Sequence, residues 1–394
     1  MIDFLKYNFS GKKAIVRVDF NVPVDKTTFE IKDDKRIQSA LPTLNHILNE
    51  GGAIILLSHF GRPKNGPEDQ FSLRHIVQHL SGLLNREVIF CQDFKGAKEC
   101  SSALAPGGVM LLENVRFDSG ETKGDEGFAH LLASLGDCFV NDAFGAAHRA
   151  HASTTQIASH FPHDRMMGLL MAAELENAKK IMVSPRPPFT AIVGGAKVSD
   201  KVLIIENLLN VATDIVIGGG MAYTFIKAKG GQIGSSLVEE DRLDTVLNIY
   251  KKAKDKGVNL HLPEDSIVAN AFDASALVQS SITKDIPANW MGLDIGPKAI
   301  EEFRRVILKS NTILWNGPMG VFEWKSFENG TKNIALAVAE ATKSGAYSLI
   351  GGGDSAAAIA KFNLSNQVSY VSTGGGALLE LFEGKTLPGV KALS

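Results

Sequence analysis

Residues 347–361 read YSLIGGGDSAAAIAK, and this stretch predicts the fold around it. Tyr347–Ile350 has the length of a buried strand, and Ala356–Lys361 is expected to be helical. The three glycines between them let backbone N–H groups approach an anion, and the helix N-terminus adds partial positive charge. Asp354 and Ser355 fall at the N-cap or first turn, where such residues are favoured anyway, but a cap alone needs no run of three glycines. The stretch therefore predicts a strand-to-helix turn that binds phosphate.

Three other glycine clusters repeat this pattern. They are Gly194-Gly195 after Thr190–Val193, Gly218–Gly220 after Asp214–Ile217, and Gly374–Gly376 after Gln367–Thr373. One such cluster also has a steric explanation, because a tight strand-to-helix turn needs glycine whatever it binds. Four of them at one edge of a sheet predict a phosphate-rich ligand. Gly218–Gly220 carries no lysine or carboxylate, so it is expected to line a nucleobase site or to be a tight turn only.

Strand-like runs alternate with helical patterns along the whole chain. The further strands expected are Ala14–Phe20, Ala53–Ser58, Glu87–Cys91, Val109–Glu113, Cys138–Asn141, Asn259–Leu262 and Thr312–Trp315. Apolar strands separated by helices of this kind predict parallel sheets with helices on both faces. The expected fold class is α/β, with two Rossmann-like, doubly wound parallel-sheet domains joined by a helical hinge.

The length of 394 residues also favours two domains, because a single core rarely grows that large. Leu169–Met182 predicts one helix, and Ser184–Pro188 (SPRPP) stops it since proline cannot continue the hydrogen-bond ladder. We expect an N-terminal domain over residues 1–168, a linker helix and hinge over 169–188, and a C-terminal domain over 189–377.

Composition bears on partners and compartment. A formal net charge of −2 gives no reason to expect a nucleic acid or a membrane surface as partner. No apolar run approaches the roughly 20 residues that span a bilayer, and the start MIDFLKYNFSGKK is unlike a secretory signal. Cys91, Cys100 and Cys138 have no metal-ligand or redox spacing, which fits a reducing compartment. We expect a cytoplasmic protein.

Nine of the twelve arginines precede residue 190. Those near strand ends or a helix start are Arg17, Arg36, Arg62, Arg116 and Arg149. Arginine grips carboxylate and phosphate with paired N–H groups, and ligands of open parallel sheets bind beyond the carboxyl ends of the strands. A single arginine is as often solvated or salt-bridged, but the clustering predicts a small, highly anionic ligand in the first domain.

A metal site is a weaker interpretation of one segment in this domain. His148 and His151 suggest metal ligands, but Arg149 between them would repel a cation and no carboxylate or thiolate lies beside them. Anion binding or polar contacts in the core fit this segment better.

The second half of the chain carries lysine where the first carries arginine. Lys197 and Lys201 are four residues apart, which predicts one face of the helix after Gly194-Gly195. Surface lysines are usually only solvating, but like charges so placed beside glycines favour a bound anion. Asp354 beside three glycines suits a magnesium ion carried on a nucleotide, and Glu323 is placed to accept from a ribose hydroxyl.

Several common motifs are absent from the sequence. There is no GxxxxGK[ST], no GxGxxG after the first strand, no GxSxG and no HExxH. The sequence therefore excludes a P-loop protein and argues against a dinucleotide-dependent dehydrogenase.

Eight segments, spread in order over essentially the whole chain, resemble the signature segments of the phosphoglycerate kinase family. They are RVDFNVP (17–23), SHFGRP (58–63), LLENVRF (111–117), NDAFGAAHRAHAS (141–153), GGAKVSDK (194–201), WNGPMGVFE (315–323), GGGDS (351–355) and STGGGA (372–377). Departures are small: Phe60 replaces a frequent leucine, and Ser326 a frequent proline.

The resemblance implies transfer of the acyl phosphate of 1,3-bisphosphoglycerate to ADP, giving 3-phosphoglycerate and ATP, with Mg²⁺ on the nucleotide. It implies that phosphoglycerate is bound by Asp19, Asn21, Arg36, His59, Phe60, Gly61, Arg62, Arg116 and Arg149. It implies that the nucleotide is bound by Lys197, Lys201, Gly292, Asn316, Glu323, Gly352, Gly353, Asp354 and Ser355, with Asp354 facing the metal. Residues 378–394 would return to pack on the first domain, and a monomer is expected.

The expected mechanism needs no general base, because the carboxylate nucleophile is already ionised at neutral pH. Charge on the phosphoryl group would be neutralised by Arg36, Lys197, Lys201 and the N–H groups near Gly353 and Gly376. The two domains must then close to align the substrates in line. A non-catalytic anion-binding protein and a different acyl-phosphate kinase are the alternatives.

Overall fold

The structure is a computed structural model that describes residues 2–64 and 66–394. The chain divides into two compact units, one containing residues up to Leu175 together with Thr386–Ser394, and the other containing Glu176–Lys385. The division falls inside the helix Leu169–Met182, whose bounds are those expected from the sequence. The return to the first unit begins at Thr386, later than the residue 378 at which it was expected.

A six-stranded sheet forms the centre of the first unit. Its strands are β1 (Lys13–Arg17), β2 (Ala53–Leu57), β3 (Val88–Cys91), β4 (Val109–Leu112), β5 (Cys138–Asn141) and β6 (Arg165–Met167). Their order is β3-β4-β2-β1-β5-β6, and every neighbouring pair is parallel. All five residues of β2 are buried, which is typical of a strand covered on both faces. β6 was not expected, because three residues with alternating burial give no apolar run.

Helices cover this sheet. They are α1 (Lys35–Asn49), α2 (Val77–Leu84), α3 (Ala97–Ser102), α4 (Ser119–Lys123), α5 (Glu126–Ala133), α6 (Ile157–Ser159) and α7 (Leu169–Met182). In α1, Ile37, Leu44 and Ile47 recur at helical spacing and are buried in the same apolar cluster as Ile54 of β2. This packing fixes the start of α1, and with it Arg36, relative to the sheet.

The second unit contains eleven strands among the described residues. They are β7 (Phe189–Val193), β8 (Asp214–Ile217), β9 (Gln232–Ile233), β10 (Asn259–His261), β11 (Asp265–Ala269), β12 (Val278–Ile282), β13 (Asp285–Ile286), β14 (Met291–Ile295), β15 (Thr312–Asn316), β16 (Tyr347–Gly351) and β17 (Tyr370–Val371). Six form a parallel sheet in the order β10-β8-β7-β15-β16-β17. The expected strand over residues 367–373 is reduced to the two residues of β17.

Two small sheets complete this unit and were not expected. β12, β11 and β14 form an antiparallel sheet, and β9 pairs with β13. Four of the five residues of β12 are exposed and the fifth is only partly buried, so its sequence VQSSI lacks the apolar run that marks a buried strand. β14 matters for function because it carries Gly292.

The helices that follow the central strands are α8 (Val202–Leu208), α9 (Met221–Ala228), α10 (Leu243–Lys256), α11 (Pro297–Ile307), α12 (Asn329–Lys343), α13 (Gly353–Lys361) and α14 (Gly376–Phe382). The last helix, α15 (Pro388–Lys391), belongs to the first unit, where Gly389 N donates to Ala147 O at 2.8 Å.

The strand order places the loops that matter at one edge of each sheet. From β7 the chain moves outward through β8 to β10, and then resumes on the other side of β7 with β15, β16 and β17. Such a reversal of direction leaves a crevice at the carboxyl ends of the two central strands, where ligands of open α/β sheets bind. The prediction of two doubly wound parallel-sheet domains is confirmed.

Candidate active site

Polar side chains of the first unit follow the carboxyl ends of four strands. Asp19 and Asn21 follow β1, His59–Arg62 follows β2, Arg116 follows β4, and Arg149 follows β5. Strand β1 ends at Arg17 rather than at Phe20, the residue to which the expected strand extended. Because these strands are parallel and adjacent, their loops lie at the same edge of the sheet.

Arg36, in the first turn of α1, is bonded to the loop after β1. Its Nη1 donates to Asp19 Oδ2 at 3.0 Å and to Asn21 O at 3.3 Å. Asn21 Oδ1 in turn accepts from Gly61 N at 2.8 Å. About a third of the Arg36 side chain (35%) remains exposed, whereas Asp19 is 9% exposed. Asp19 and Asn21 therefore orient Arg36 and the loop after β2, and the exposed part of the guanidinium is free for a ligand.

Asn114 aligns two of the predicted site segments and was missed by the sequence analysis. This buried amide accepts from Phe60 N at 3.1 Å and from Arg116 N at 3.0 Å, and it donates to Phe60 O at 2.7 Å. Arg116 Nη1 also donates to Gly61 O at 2.6 Å. The available signal was the position of Asn114 in LLENVRF, directly after a strand and two residues before Arg116.

Phe60 and Gly61 have structural roles in this loop. The Phe60 side chain is 4% exposed and belongs to the apolar core, so only its backbone faces the site. Gly61 has φ +61°, and a Cβ there would lie 2.2 Å from a ring carbon of Phe71. Glycine is therefore required at position 61 by conformation and by space.

Arg17 is fully buried and bonded within the protein. Its Nε donates to Ser153 Oγ at 2.9 Å, and Ser153 Oγ donates to Glu121 Oε1 at 2.7 Å. Glu121 is buried as well, and the segment SGETKG gave no sign that it would be. Arg17 thus organises the loop after β5.

His59 is a buried neutral imidazole. Burial lowers its pKa well below the ordinary value, and the charges of Arg17, Arg116, Arg149 and Arg36 lower it further. Arg17 Nη2 lies 3.2 Å from His59 Nδ1. Because a guanidinium can only donate, Nδ1 must accept, and the ring proton is on Nε2.

Positive charge accumulates at this edge without an equal negative charge. Burial, together with the neighbouring charges of Arg149 and Arg17, lowers the pKa of Arg116 to about 10. Arg116 Nε is buried and has no hydrogen-bond partner within residues 2–64 and 66–394. A cavity of about 520 Å³ is lined by Arg62, Lys64, Arg116, Lys123, Arg149 and His151, among others. Such a cavity is suited to a ligand with several negative charges, which would relieve the mutual repulsion.

In the second unit the glycine turns are of two kinds. At Gly194 a Cβ would lie 2.1 Å from Pro318 O, and at Gly218 it would lie 2.3 Å from the sulfur of Met319. Gly219 has φ +67°, and a Cβ there would lie 2.5 Å from Gly195 O. These glycines are required because the turns pack against each other, so the steric explanation applies to them.

The turns before α13 and α14 are open instead. No atom lies within 4 Å of a Cβ placed on Gly353, and its φ is not in the left-handed region. Gly375 also has open space beside it, with φ +49°, and Gly352 has φ +91°. Packing alone does not require glycine at Gly353, which leaves room for a ligand against the first N–H groups of α13.

Lys201 lies beside this open turn. Its ammonium donates to Asn316 Oδ1, and Asn316 Nδ2 donates to Gly351 O at 2.8 Å. Burial lowers the pKa of Lys201, an effect that the carboxylates of Asp200, Asp354 and Glu383 oppose. Asn316, which is 1% exposed, therefore positions both the lysine and the glycine turn.

The prediction that Lys197 and Lys201 share a helix face is wrong. Helix α8 begins only at Val202, and residues 196–201 form turns. Gly195 has φ +111°, and Ser199 N donates to Glu239 Oε2 at 3.0 Å; the first helical bond of this segment runs from Val202 N to Val198 O. Lys197 is exposed, whereas Lys201 is partly buried.

Ser355 and Asp354 differ although they are adjacent in α13. Ser355 is buried, and its Oγ accepts from Gly317 N at 2.6 Å, so it ties two loops together. Asp354 is exposed and lies in the first turn of the helix. Only Asp354 is therefore placed to contact a ligand through its side chain.

An apolar cavity of about 560 Å³ lies next to these turns. Its lining includes Gly219, Gly220, Leu237, Gly292, Pro318, Met319, Glu323 and Asp354. Its volume and mainly apolar lining are typical of small-molecule sites, and two carboxylates are among its polar groups. Gly292 is required there because a Cβ would lie 1.8 Å from Tyr223 Oη.

The residues fit a metal ion brought in by a ligand rather than a resident one. Within the described residues no three His, Cys, Asp or Glu side chains come together as metal ligands. Asp354 offers one carboxylate beside open N–H groups, which suits Mg²⁺ held mainly by phosphate oxygens and water. None of the described helices has the length and apolar character required to cross a bilayer.

Comparisons with known proteins agree with this geometry. A family model described as phosphoglycerate kinase matches residues 4–385. Curated phosphoglycerate kinases of Porphyromonas gingivalis and Thermosipho africanus are 52% and 50% identical to this chain. Each alignment covers 98% of this chain, with 99% of the first relative and 96% of the second.

Solved structures give the same result. The phosphoglycerate kinase of Coxiella burnetii matches with a TM-score of 0.89 at 41% identity, covering 98% of this chain and 97% of that one. The phosphoglycerate kinase of Pyrococcus horikoshii matches with a TM-score of 0.84 at 31% identity, covering 100% of this chain and 98% of that one.

Proposed function

The chain belongs to the phosphoglycerate kinase family, and on that premise we propose how its residues divide the work of the reaction. The enzyme transfers the acyl phosphate of 1,3-bisphosphoglycerate to ADP, giving 3-phosphoglycerate and ATP. Both substrates are strongly anionic, which matches two cationic or N–H-rich half-sites in separate units.

Phosphoglycerate binds in the first unit. The residues proposed to hold it are Asp19, Asn21, Arg36, His59, Gly61, Arg62, Arg116 and Arg149, with Phe60 acting through its backbone alone. The arginines Arg62, Arg116 and Arg149, which line the 520 Å³ cavity, would hold the phosphate, since paired N–H groups match its oxygens. His59 Nε2–H would donate to a hydroxyl or carboxylate of the ligand.

The nucleotide binds in the second unit. Its base would occupy the apolar cavity beside Gly292, and Glu323 would accept from the ribose. The phosphates would then lie against Gly352 and Gly353. Asn316 and Ser355 act by positioning rather than by contact, because both are buried and bonded within the protein.

Mg²⁺ would arrive with the nucleotide, held on the protein side by Asp354. When bound, it would neutralise phosphate charge at the transferring group. The support is one exposed carboxylate in the first turn of α13.

Transfer proceeds directly and in line. The acceptor in the ATP-consuming direction is a carboxylate, ionised at neutral pH, so no residue needs to remove a proton. Arg36, Lys197 and Lys201, with the N–H groups of Gly353 and Gly376, neutralise charge on the phosphoryl oxygens. Because the ligands bind to different units, we propose that the units close in the ternary complex and exclude water.

The proposal depends above all on the Lys201 ammonium, which Asn316 holds beside an open glycine turn. A coupled assay with 3-phosphoglycerate, ATP and Mg²⁺ tests it. ADP should form only when all three are present. Formation of ADP with acetate in place of 3-phosphoglycerate, at a similar rate, would point to a different acyl-phosphate kinase.

The enzyme acts as a monomer in the cytoplasm under this proposal. Each half-site is complete within one chain, and the three cysteines are free thiols. Light scattering after size-exclusion chromatography should give a mass near 42.3 kDa, and the mass of a dimer would contradict the monomeric state. Cell fractionation tests the cytoplasmic location.

A further inference from the structure

We propose that Asp142 is a positioning residue for phosphoryl transfer: it fixes the first turn of the linker helix α7 to the phosphoglycerate-binding unit, with Thr43 as its partner. The inference rests on the proposed function, since it assigns a task to the segment that joins the two units. Asp142 contacts neither cavity described above.

Asp142 follows β5 and is completely buried. Its Oδ1 accepts from Met171 N at 3.0 Å, in the first turn of α7. A carboxylate at a helix N-terminus satisfies N–H groups that have no partner within the helix and interacts favourably with the helix dipole. The segment is also held from the other side, because Gly168 N donates to Asn141 O at 3.0 Å.

The fit between Asp142 and the start of the helix is tight. A Cβ on Gly168 would lie 2.3 Å from Asp142 Oδ1 and 2.4 Å from its carboxyl carbon. Gly168 does not have a positive φ, so its backbone would accept another residue. We infer that glycine is present at this position to admit the Asp142 carboxylate.

Thr43 connects the same turn to a helix of the substrate half-site. Its buried Oγ1 accepts from Leu169 N at 2.9 Å. Thr43 lies in α1, two turns after Arg36. Burial raises the pKa of Asp142 to about 6, and the hydrogen bond from the Met171 amide limits that rise. Thr43 of α1 and Asp142 after β5 therefore bind two amides of the same first turn of α7.

This junction lies shortly before the boundary of the first unit, which falls between Leu175 and Glu176 within α7. The orientation of the first turn of α7 against α1 and β5 sets the direction in which the chain continues. The ligand-binding side chains of each unit are held by other contacts, such as those of Asn114 and Asn316. Loss of the Asp142 cap should therefore impair transfer, which needs both units, more than binding of one ligand.

The test compares Asp142→Ala, which removes the acceptor that an asparagine would keep, and Thr43→Val with the wild type. We expect kcat to fall about tenfold in both, because misalignment of reacting groups is costly. The Kd of 3-phosphoglycerate alone, and of ADP alone, should stay within about twofold of the wild type. Hydrogen exchange of the Leu169 and Met171 amides should be faster, which reports on the cap without any assay. Thr43→Ser keeps the hydroxyl and should restore kcat.

A matched control is Asp265→Ala in the second unit. Asp265 is another buried carboxylate at a helix N-terminus, accepting from Ala299 N at 2.8 Å in α11. The side-chain hydrogen bonds shown for Asp265 among the described residues go to the start of α11 and not to the linker, so its loss should leave kcat near the wild-type value. If Asp142→Ala does not fold, Thr43→Val decides the question.

Two results would overturn the inference. One is an unchanged kcat in Thr43→Val with faster exchange at Leu169, because the cap would then have no bearing on transfer. The other is a parallel loss of kcat and of 3-phosphoglycerate affinity in both variants, which would make Asp142 a support of the substrate loop only. A wild-type protein that forms no ADP would instead contradict the proposed function, whereas the exchange data would still report on the cap.

Discussion

The Lys201 ammonium donates a hydrogen bond to Asn316 Oδ1, and the same amide group donates to Gly351 O. One buried side chain thus sets the distance between the cation and the glycine turn that begins α13. Replacement of Asn316 should therefore act on turnover through Lys201, although Asn316 itself is hidden from ligand.

Replacement of Lys201 by alanine should lower kcat by about 10²-fold or more, by analogy with the loss of one donor to a developing negative charge. The fold should remain intact, as judged by the midpoint of thermal unfolding. The exposed Lys343 in α12 is a suitable control, because Lys343→Ala removes a like charge far from the turn. Near-normal turnover of Lys201→Ala would remove this residue from the catalytic set.

Arg36 and Arg62 should respond differently to replacement by alanine. Arg36 is tied to Asp19 and is proposed to meet the transferring group, so kcat should fall. Arg62 is exposed at the cavity, so its loss should mainly raise the Kd of 3-phosphoglycerate. Titration calorimetry and steady-state kinetics on both variants, with the exposed Arg86→Ala as control, measure the two effects. Equal effects of both changes on KM alone would disprove the division.

Asn114→Ala should weaken 3-phosphoglycerate binding although Asn114 is buried. The change leaves Phe60 N and O, among other groups, without their amide partner. Each unsatisfied buried group costs about 1–3 kcal/mol, so a clear loss of unfolding free energy is expected as well. ADP binding in the second unit serves as the internal reference, and a variant with wild-type 3-phosphoglycerate affinity would refute the positioning role.

The two kinds of glycine turn predict opposite outcomes of alanine substitution. Gly353→Ala meets no neighbouring atom and should fold normally, but its methyl group would occupy ligand space and reduce ATP affinity and kcat. Gly194→Ala would collide with Pro318 O and should lower the unfolding midpoint. Thermal denaturation and kinetics on both proteins distinguish these outcomes. A stable, fully active Gly353→Ala enzyme would contradict the assignment of this turn to phosphate.

Asp142 and Asp294 should give a distinct pH dependence of stability. Burial raises the pKa of Asp142 to about 6 and that of Asp294 to about 7, above their values in the unfolded chain. Between about pH 4 and these values the native state holds more protons, so the stability from these groups is lost as pH rises. The wild type should therefore lose unfolding free energy between pH 4 and pH 7 that Asp142→Asn does not lose. The difference in unfolding free energy between the two proteins should shift in favour of the variant as pH rises. Unfolding free energies of the two proteins can be measured by denaturant titration at each pH. Parallel curves of unfolding free energy against pH would disprove the raised pKa of Asp142.

The sequence predicted the sheets because their central strands are continuous apolar runs. It also predicted α7 to the residue, since the proline segment at Pro185–Pro188 ends the helix. The antiparallel sheet around β11 was not predictable, because the residues of β12 are mostly exposed and polar. Burial of β11 and β14 depends on neighbours that are distant in sequence.

The candidate site was predictable in its residue types and less so in their roles. Arg17 ends a strand and Arg116 follows one, yet only the fold shows that Ser153 and His59 engage the Arg17 guanidinium. Lys197 and Lys201 have helical spacing, but turn geometry at Gly195 delays the helix. Buried amides such as Asn114 carry no charge and no periodic signal, so their importance emerges only from their contacts.

The central claim is direct in-line transfer between two ligands held by separate units, with no phosphorylated protein intermediate. The most direct measurement uses ATP whose γ-phosphate is chiral through oxygen isotopes, followed by analysis of the configuration at phosphorus in the 1,3-bisphosphoglycerate formed. A single in-line displacement predicts inversion. Retention would require two displacements through a protein nucleophile and would contradict the account.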